Sequence, residues 1–357
     1  MSIIVLIASA SILLALLILH SYLTRGARIT AVFFLLAATL MFLKEFVLPP
    51  FVRTFILPAL INSRNVVPRQ HYVFLIKDAP EAISKSAVVV GWMITFYLGW
   101  YFSEQILLRF NNFQKRLFTT LAFSIIVVSS VCYCLENFSM GMGWWIWRFS
   151  SPAIERFLMN CPLQAIGGWT HMSLITLLTF FLIECSQYRL AKWRGIFFLI
   201  PLIPVWFCFV FGFKNLIIMM DFAVINTIFF SFFIRLQIDH SADSPIRIDP
   251  KFSPYINRLP YFALLLMLSY VTIGELFFLK QPSLLISMIP LLMVIILSIK
   301  KLPLFYVAFL AIVMFIALKE KAVFPSIPVI YAMILWGIDT IMQAYKKPGF
   351  TTQRENP

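Results

Sequence analysis

Charge is what this chain has least of. Only 12% of its residues are Asp, Glu, Lys or Arg and 61% are apolar, whereas a soluble domain carries about 25% charged and about 45–50% apolar residues. So little charge cannot clothe a water-facing surface, which excludes a soluble globular fold and leaves an integral membrane protein. Acids are scarcer still: 15 Asp and Glu stand against 29 Lys and Arg, for a net charge of +14. The basic residues sit in short connections between apolar runs, where they set topology and meet anionic headgroups. No nucleic-acid partner is expected from such a pattern.

Metal and nucleotide signals are missing too. The five cysteines (Cys132, Cys134, Cys161, Cys185 and Cys208) contain no CxxC pair and no histidine at ligand spacing, which argues against zinc. Buried free thiols are expected, with a Cys134–Cys161 disulfide as the alternative. The chain has no Walker or Rossmann glycine pattern. Its apolar runs hold no acid pair at the i, i+4 spacing of a magnesium–diphosphate site, and the chain shows no internal repeat or low-complexity tract. No metal or cofactor is expected.

What is present is a series of apolar runs long enough to cross a bilayer, each of about 20 residues. They cover roughly 2–24, 29–48, 86–104, 117–135, 164–184, 195–213, 216–235, 260–279, 283–299, 303–318 and 322–342. The fold expected is an all-α transmembrane bundle of about eleven helices, with nine as the lower bound. It forms one domain over 1–345 with a polar tail at 346–357. The first run has no basic leader and no A-x-A site, so it reads as a retained helix. Pro49-Pro50 stops the second helix, and 51–61 is too short to span, so it reads as interfacial or re-entrant. Connections after odd-numbered helices hold most of the Lys and Arg, among them Arg25, Arg28, Arg109, Lys115, Arg189 and Arg247. That bias places them in the cytoplasm, with the N-terminus outside and the C-terminus inside. The expected setting is a bacterial inner membrane.

Against this apolar background, Glu45, Glu136, His171, Asp221 and Glu275 all map toward one leaflet. An ionisable group at membrane depth is costly and marks a functional site by default. Each also has a plainer reading. Lys44-Glu45 can be an interfacial pair with a snorkelling lysine, Glu275 an end charge near Lys280, and His171 an interhelical hydrogen-bond partner. Asp221, in LIIMMDFAVINTIFF, has no nearby countercharge, and Asn226 lies five residues on.

The most specific stretch is 132–172, CYCLENFSMGMGWWIWRFSSPAIERFLMNCPLQAIGGWTHM. A carboxylate is followed by glycines, tryptophans and a Pro-Gly-Trp closure. Glycine permits close backbone approach and indole faces stabilise cations; the plainer reading is an interfacial aromatic belt. This stretch resembles a segment of the carotenoid-biosynthesis membrane proteins typified by bisanhydrobacterioruberin hydratase. Glu136 takes the acidic position, Gly143, Trp145 and Trp147 the G-x-W-x-W element, and Pro162, Gly168 and Trp169 the closing element. Asn137 stands where that family has Pro, Gln164-Ala165 where it has Asn, and no Glu-Gly-Tyr element occurs in 1–130.

The resemblance implies acid chemistry on an isoprenoid, by a hydratase or a membrane terpene cyclase. In either, a carboxylic acid protonates an alkene or epoxide to a carbocation, which water or a neighbouring double bond then attacks. An embedded carboxyl suits that task because desolvation favours its neutral form. Glu136 and Asp221 are the acids expected, with His171 as proton partner. Trp144, Trp145, Trp147 and Trp169 line the cation site, and Asn137, Asn226, Glu275 and Glu45 complete it. The partners are membrane lipid and a lipophilic isoprenoid. Two other classes stand as alternatives: a proton-coupled secondary transporter using Asp221, and an envelope-glycan polymerase or ligase using a separate set, Arg53, Arg64, Arg69 and His71, on phosphate.

Overall fold

A computed structural model of the protein describes residues 3–47, 72–74, 81–108, 117–147, 157–158, 161–184, 253–273, 288–289, 291–292 and 294–295. They are almost wholly helical: α1 (Ile3–Arg25), α2 (Ala27–Phe42) continued by a π turn (Leu43–Val47), α3 (Glu81–Leu108), α4 (Leu117–Gly141), α5 (Leu163–Glu184), the short α6 (Ser253–Ile256) and α7 (Leu259–Ile273). Two short antiparallel pairings accompany them. β1 (Tyr72–Phe74) pairs with β2 (Trp145–Trp147), Tyr72 opposite Trp147 and Phe74 opposite Trp145. β3 (Phe157–Leu158) pairs with β4 (Cys161–Pro162). Five of the helices are long and apolar enough to cross a membrane, so the chain is a multi-pass membrane protein.

The middle of the bundle is α3, which packs on α1, α2, α4, α5 and α7. Every side chain from Trp92 to Ser103 other than Gly99 belongs to the buried core, the all-round burial of a helix enclosed by others. Contacts between helices rest on small and hydroxyl residues, as expected where lipid offers no hydrophobic contrast. A Cβ on Gly99 of α3 would stand 2.6 Å from Val128 Cγ2 and 3.2 Å from the Ser124 carbonyl of α4, so the two backbones approach closely only because that Cβ is missing. Ser103 and Ser124 share a hydrogen bond of 2.8 Å across the same interface. Ser129 and Thr170 do so at 3.0 Å between α4 and α5. Leu35, Phe42, Phe262 and Leu265 point outward and are exposed, as side chains facing acyl chains would be.

Six of the expected spans fall on described helices; over the described residues four of them agree to within a few residues and two are corrected. The span expected at 86–104 runs from Glu81 to Leu108. Apolar runs end at charges, whereas the helix carries on through Lys85 and Glu104 because both have partners. The span expected at 117–135 continues to Gly141, so Glu136 lies inside α4 and does not end it. What ends α4 is a glycine cap. Gly143 has φ 67, its N–H donates to the Met140 carbonyl at 3.0 Å, and the Trp144 N–H donates to the Ser139 carbonyl at 3.0 Å. These are the paired hydrogen bonds of a left-handed helix terminus, completed by an apolar contact back onto the last turn. Here that contact is the Trp144 ring, edge-on to Phe138 with centroids 5.3 Å apart. The spans expected at 195–213, 216–235, 303–318 and 322–342, and the segment 51–61, lie outside the described residues, as does most of 283–299.

Candidate functional site

One end of the bundle collects the acids expected at 45 and 136. Glu136 is buried, 3% exposed, on the inner face of α4. Its Oε1 accepts the indole N–H of Trp169, on α5, at 3.0 Å. The Trp169 ring stacks on Trp92 of α3 with centroids 3.8 Å apart and planes 23° apart. On α2, Lys44 Nζ sits 5.2 Å from the centroid of Trp92 and forms an ion pair with Glu45, whose side chain is fully buried. Lys85 of α3 approaches Phe46 at 5.7 Å. A chain of contacts therefore runs Glu136, Trp169, Trp92, Lys44, Glu45 across four helices. An indole between a lysine and a second indole presents an electron-rich face to the cation, and the stack holds the Trp169 N–H on the carboxyl.

Around this chain the ends of helices are tied down. The Asn137 side-chain oxygen accepts the Cys161 N–H at 3.0 Å, and its amide nitrogen donates to the Tyr133 carbonyl at 2.7 Å. That residue joins β4 to α4. Cys132, Cys134 and Cys161 are buried thiols that form no disulfide, as expected. Burial pushes the Cys161 thiol above its ordinary range, against the opposing effect of its hydrogen bond to Cys132.

Of the residues expected in the site, Glu136, Trp169 and Glu45 are brought together. Trp144 lies beside them at the α4 terminus, where its ring packs on Phe138. The backbones of Trp145 and Trp147 lie in β2, and that of His171 in α5, two residues beyond Trp169. Asp221, Asn226 and Glu275 lie outside the described residues. Among the described residues no group of three or more His, Cys, Asp or Glu is placed to hold a metal ion.

Two parts of the arrangement escape a reading of charge alone. Trp92 is one: it belongs to the repeat Trp92, Phe96, Trp100, four residues apart and so on one face of α3, a signal that periodicity contains. The other is a second polar cluster at the opposite end, about 12 Å along α3 at 1.5 Å per residue. There Arg25 of α1 pairs with Glu104 of α3, Nη2 to Oε2 at 2.5 Å and Nη1 to Oε1 at 3.3 Å. Its guanidinium lies 3.7 Å from the Trp100 ring centroid, and the Trp100 N–H meets Glu104 Oε1 at 2.6 Å. Beside it, His20 Nδ1 and the Tyr97 hydroxyl are 2.5 Å apart. Between the two ends lies an aromatic plug. Phe33 touches Tyr97, Trp100 and Phe180 at centroid distances of 5.7, 5.1 and 5.0 Å.

No family model, characterised protein or solved structure matches this chain. The likeness of 132–172 to the carotenoid-biosynthesis proteins therefore rests on its own residues.

Proposed function

We propose that this protein is a membrane-embedded enzyme that modifies an isoprenoid of the carotenoid type by acid protonation, with Glu136 as the acid. One observation carries the reading. The first and last elements of the stretch that resembles the hydratases, Glu136 and Trp169, are 33 residues apart in sequence and meet in a buried hydrogen bond of 3.0 Å. When the carboxyl is neutral, the indole N–H takes its carbonyl oxygen, Oε1, and the proton is carried on Oε2. An alkene carbon arriving there receives that proton: the O–H bond breaks, a C–H bond forms, and a carbocation stands beside the indoles of Trp169 and Trp92. In a hydratase, water then adds to the cation and the resulting oxonium returns a proton to the Glu136 carboxylate. In a cyclase, a neighbouring double bond attacks and the new cation loses a proton to a base.

Asp221 is assigned as the second acid and His171 as its proton partner, and Trp144, Trp145 and Trp147 extend the aromatic lining. The substrate enters sideways from lipid. The membrane assigned is a bacterial inner membrane, with the Glu136 end toward the outside. The test compares lipid extracts from cells with and without the gene by mass spectrometry. The expected result is an isoprenoid shifted by one water, or changed only in retention time. An identical isoprenoid profile contradicts the reading.

A further inference from the structure

We infer that the opposite end of the bundle, at the turn between α1 and α2, binds a phosphate oxyanion on the side edge of Arg28. Arg28 is the second residue of α2. Its Nε and Nη2 are both buried and make no hydrogen bond, and neither ion pair among the described residues involves it. These two nitrogens form one edge of the guanidinium, the edge that meets two oxygens of one acceptor side-on. Buried donors are seldom left without an acceptor, because the desolvation cost is then unreturned.

The surroundings lack the same partner. Arg25 spends Nη1 and Nη2 on Glu104, while its Nε is buried without an acceptor. His20 is 1% exposed; its Nδ1 meets Tyr97 and its Nε2 has no partner. Glu104, the one carboxylate at this cluster among the described residues, already receives Arg25 at both oxygens and Trp100 at one. Glu104 thus pairs with Arg25 alone, Arg28 pairs with no carboxylate among the described residues, and the missing charge is that of an anion. Gly26, ahead of α2, supplies no side-chain cap, so the first-turn N–H groups add to the positive field.

Phosphate is the oxyanion that this location favours. The turn stands at the end of two membrane-spanning helices, the level at which headgroup phosphates lie. Just inside it, Leu19 and Tyr22 are exposed on α1, an apolar surface suited to an acyl chain. A lipid headgroup and free phosphate offer the same two-oxygen edge, and the experiment separates them.

The full chain, purified in detergent and stripped of lipid, is titrated by native mass spectrometry with phosphatidic acid, with diacylglycerol of the same acyl chains, and with sodium phosphate as competitor. Saturable binding of one phosphatidic acid per chain is expected, with diacylglycerol not retained. Displacement by sodium phosphate assigns free phosphate as a ligand; no displacement assigns the lipid headgroup. Arg28→Lys keeps the charge but not the fork, and should weaken binding about tenfold, the factor that a 1.4 kcal/mol loss gives. Arg258→Gln removes an exposed arginine at the same end and should change little. Thermal stabilisation of the unaltered protein by phosphatidic acid over diacylglycerol gives a readout that needs no variant. Equal retention of the two lipids, or equal affinity in Arg28→Lys, overturns the inference.

Discussion

Each end of the bundle sets an indole N–H on a glutamate, and the two do it differently. At the α1–α2 turn, Trp100 and Glu104 are one helical turn apart on α3, and Arg25 adds a charge to the same carboxyl. That pair is part-exposed, at 18% and 34% for the two charged side chains, and it is assembled largely within one helix. At the other end, Trp169 and Glu136 come from different helices, and the indole is held by a second indole, Trp92. Glu136 is 3% exposed. The first arrangement uses a carboxylate to neutralise an arginine, which is a structural task. The second positions a carboxyl among aromatic faces, which is the arrangement proton transfer to a hydrocarbon needs.

If that contrast holds, the two glutamates respond oppositely to the same change. Glu136→Gln keeps an oxygen for the Trp169 N–H but has no proton to give. Turnover should fall at least ~100-fold, the low end for loss of a general acid, with the thermal midpoint unchanged. Full activity in Glu136→Gln would remove the basis of the contrast. Gly99→Ala acts on the scaffold between the ends. Its Cβ would meet Val128 and the Ser124 carbonyl, and unfolding in mixed micelles should show a loss of about 1–3 kcal/mol. Glu104→Gln should lower stability by about 1–2 kcal/mol, below the ~3–5 of a wholly buried broken pair because part of this one is screened by solvent. Product formation in membranes should persist in that variant; its loss would show that both ends take part in the chemistry. Trp92→Phe should have the smallest effect, about 0.5–1 kcal/mol from the weakened stack, with activity reduced but present.

How much of this was legible in the sequence follows from which forces act locally. Helix positions follow from apolar runs, and six of the expected spans fall on described helices. Their ends were misjudged wherever a helix carries a charge with a distant partner, as at Glu104, or ends on backbone geometry, as at Gly143. The burial of Glu136 was readable because an acid among apolar residues has few other uses. Its link to Trp169 was readable only through resemblance, since nothing in one helix dictates what the next sets against it. Lys44-Glu45 fits an interfacial pair equally well by sequence, and only tertiary packing sets Lys44 against Trp92. The Arg25 cluster was missed for a different reason. Counting arginines for topology treats each as solvated, whereas this one crosses from α1 to α3 and rests on an indole.

The central claim is that a proton leaves Glu136 for carbon. Membranes carrying the protein, suspended in D2O, test it directly, because a carboxyl exchanged with solvent delivers deuterium to its substrate. The account predicts an isoprenoid with one carbon-bound deuterium in membranes of the unaltered protein and of Glu104→Gln, and none in those of Glu136→Gln. Equal labelling in the Glu136→Gln membranes would contradict it.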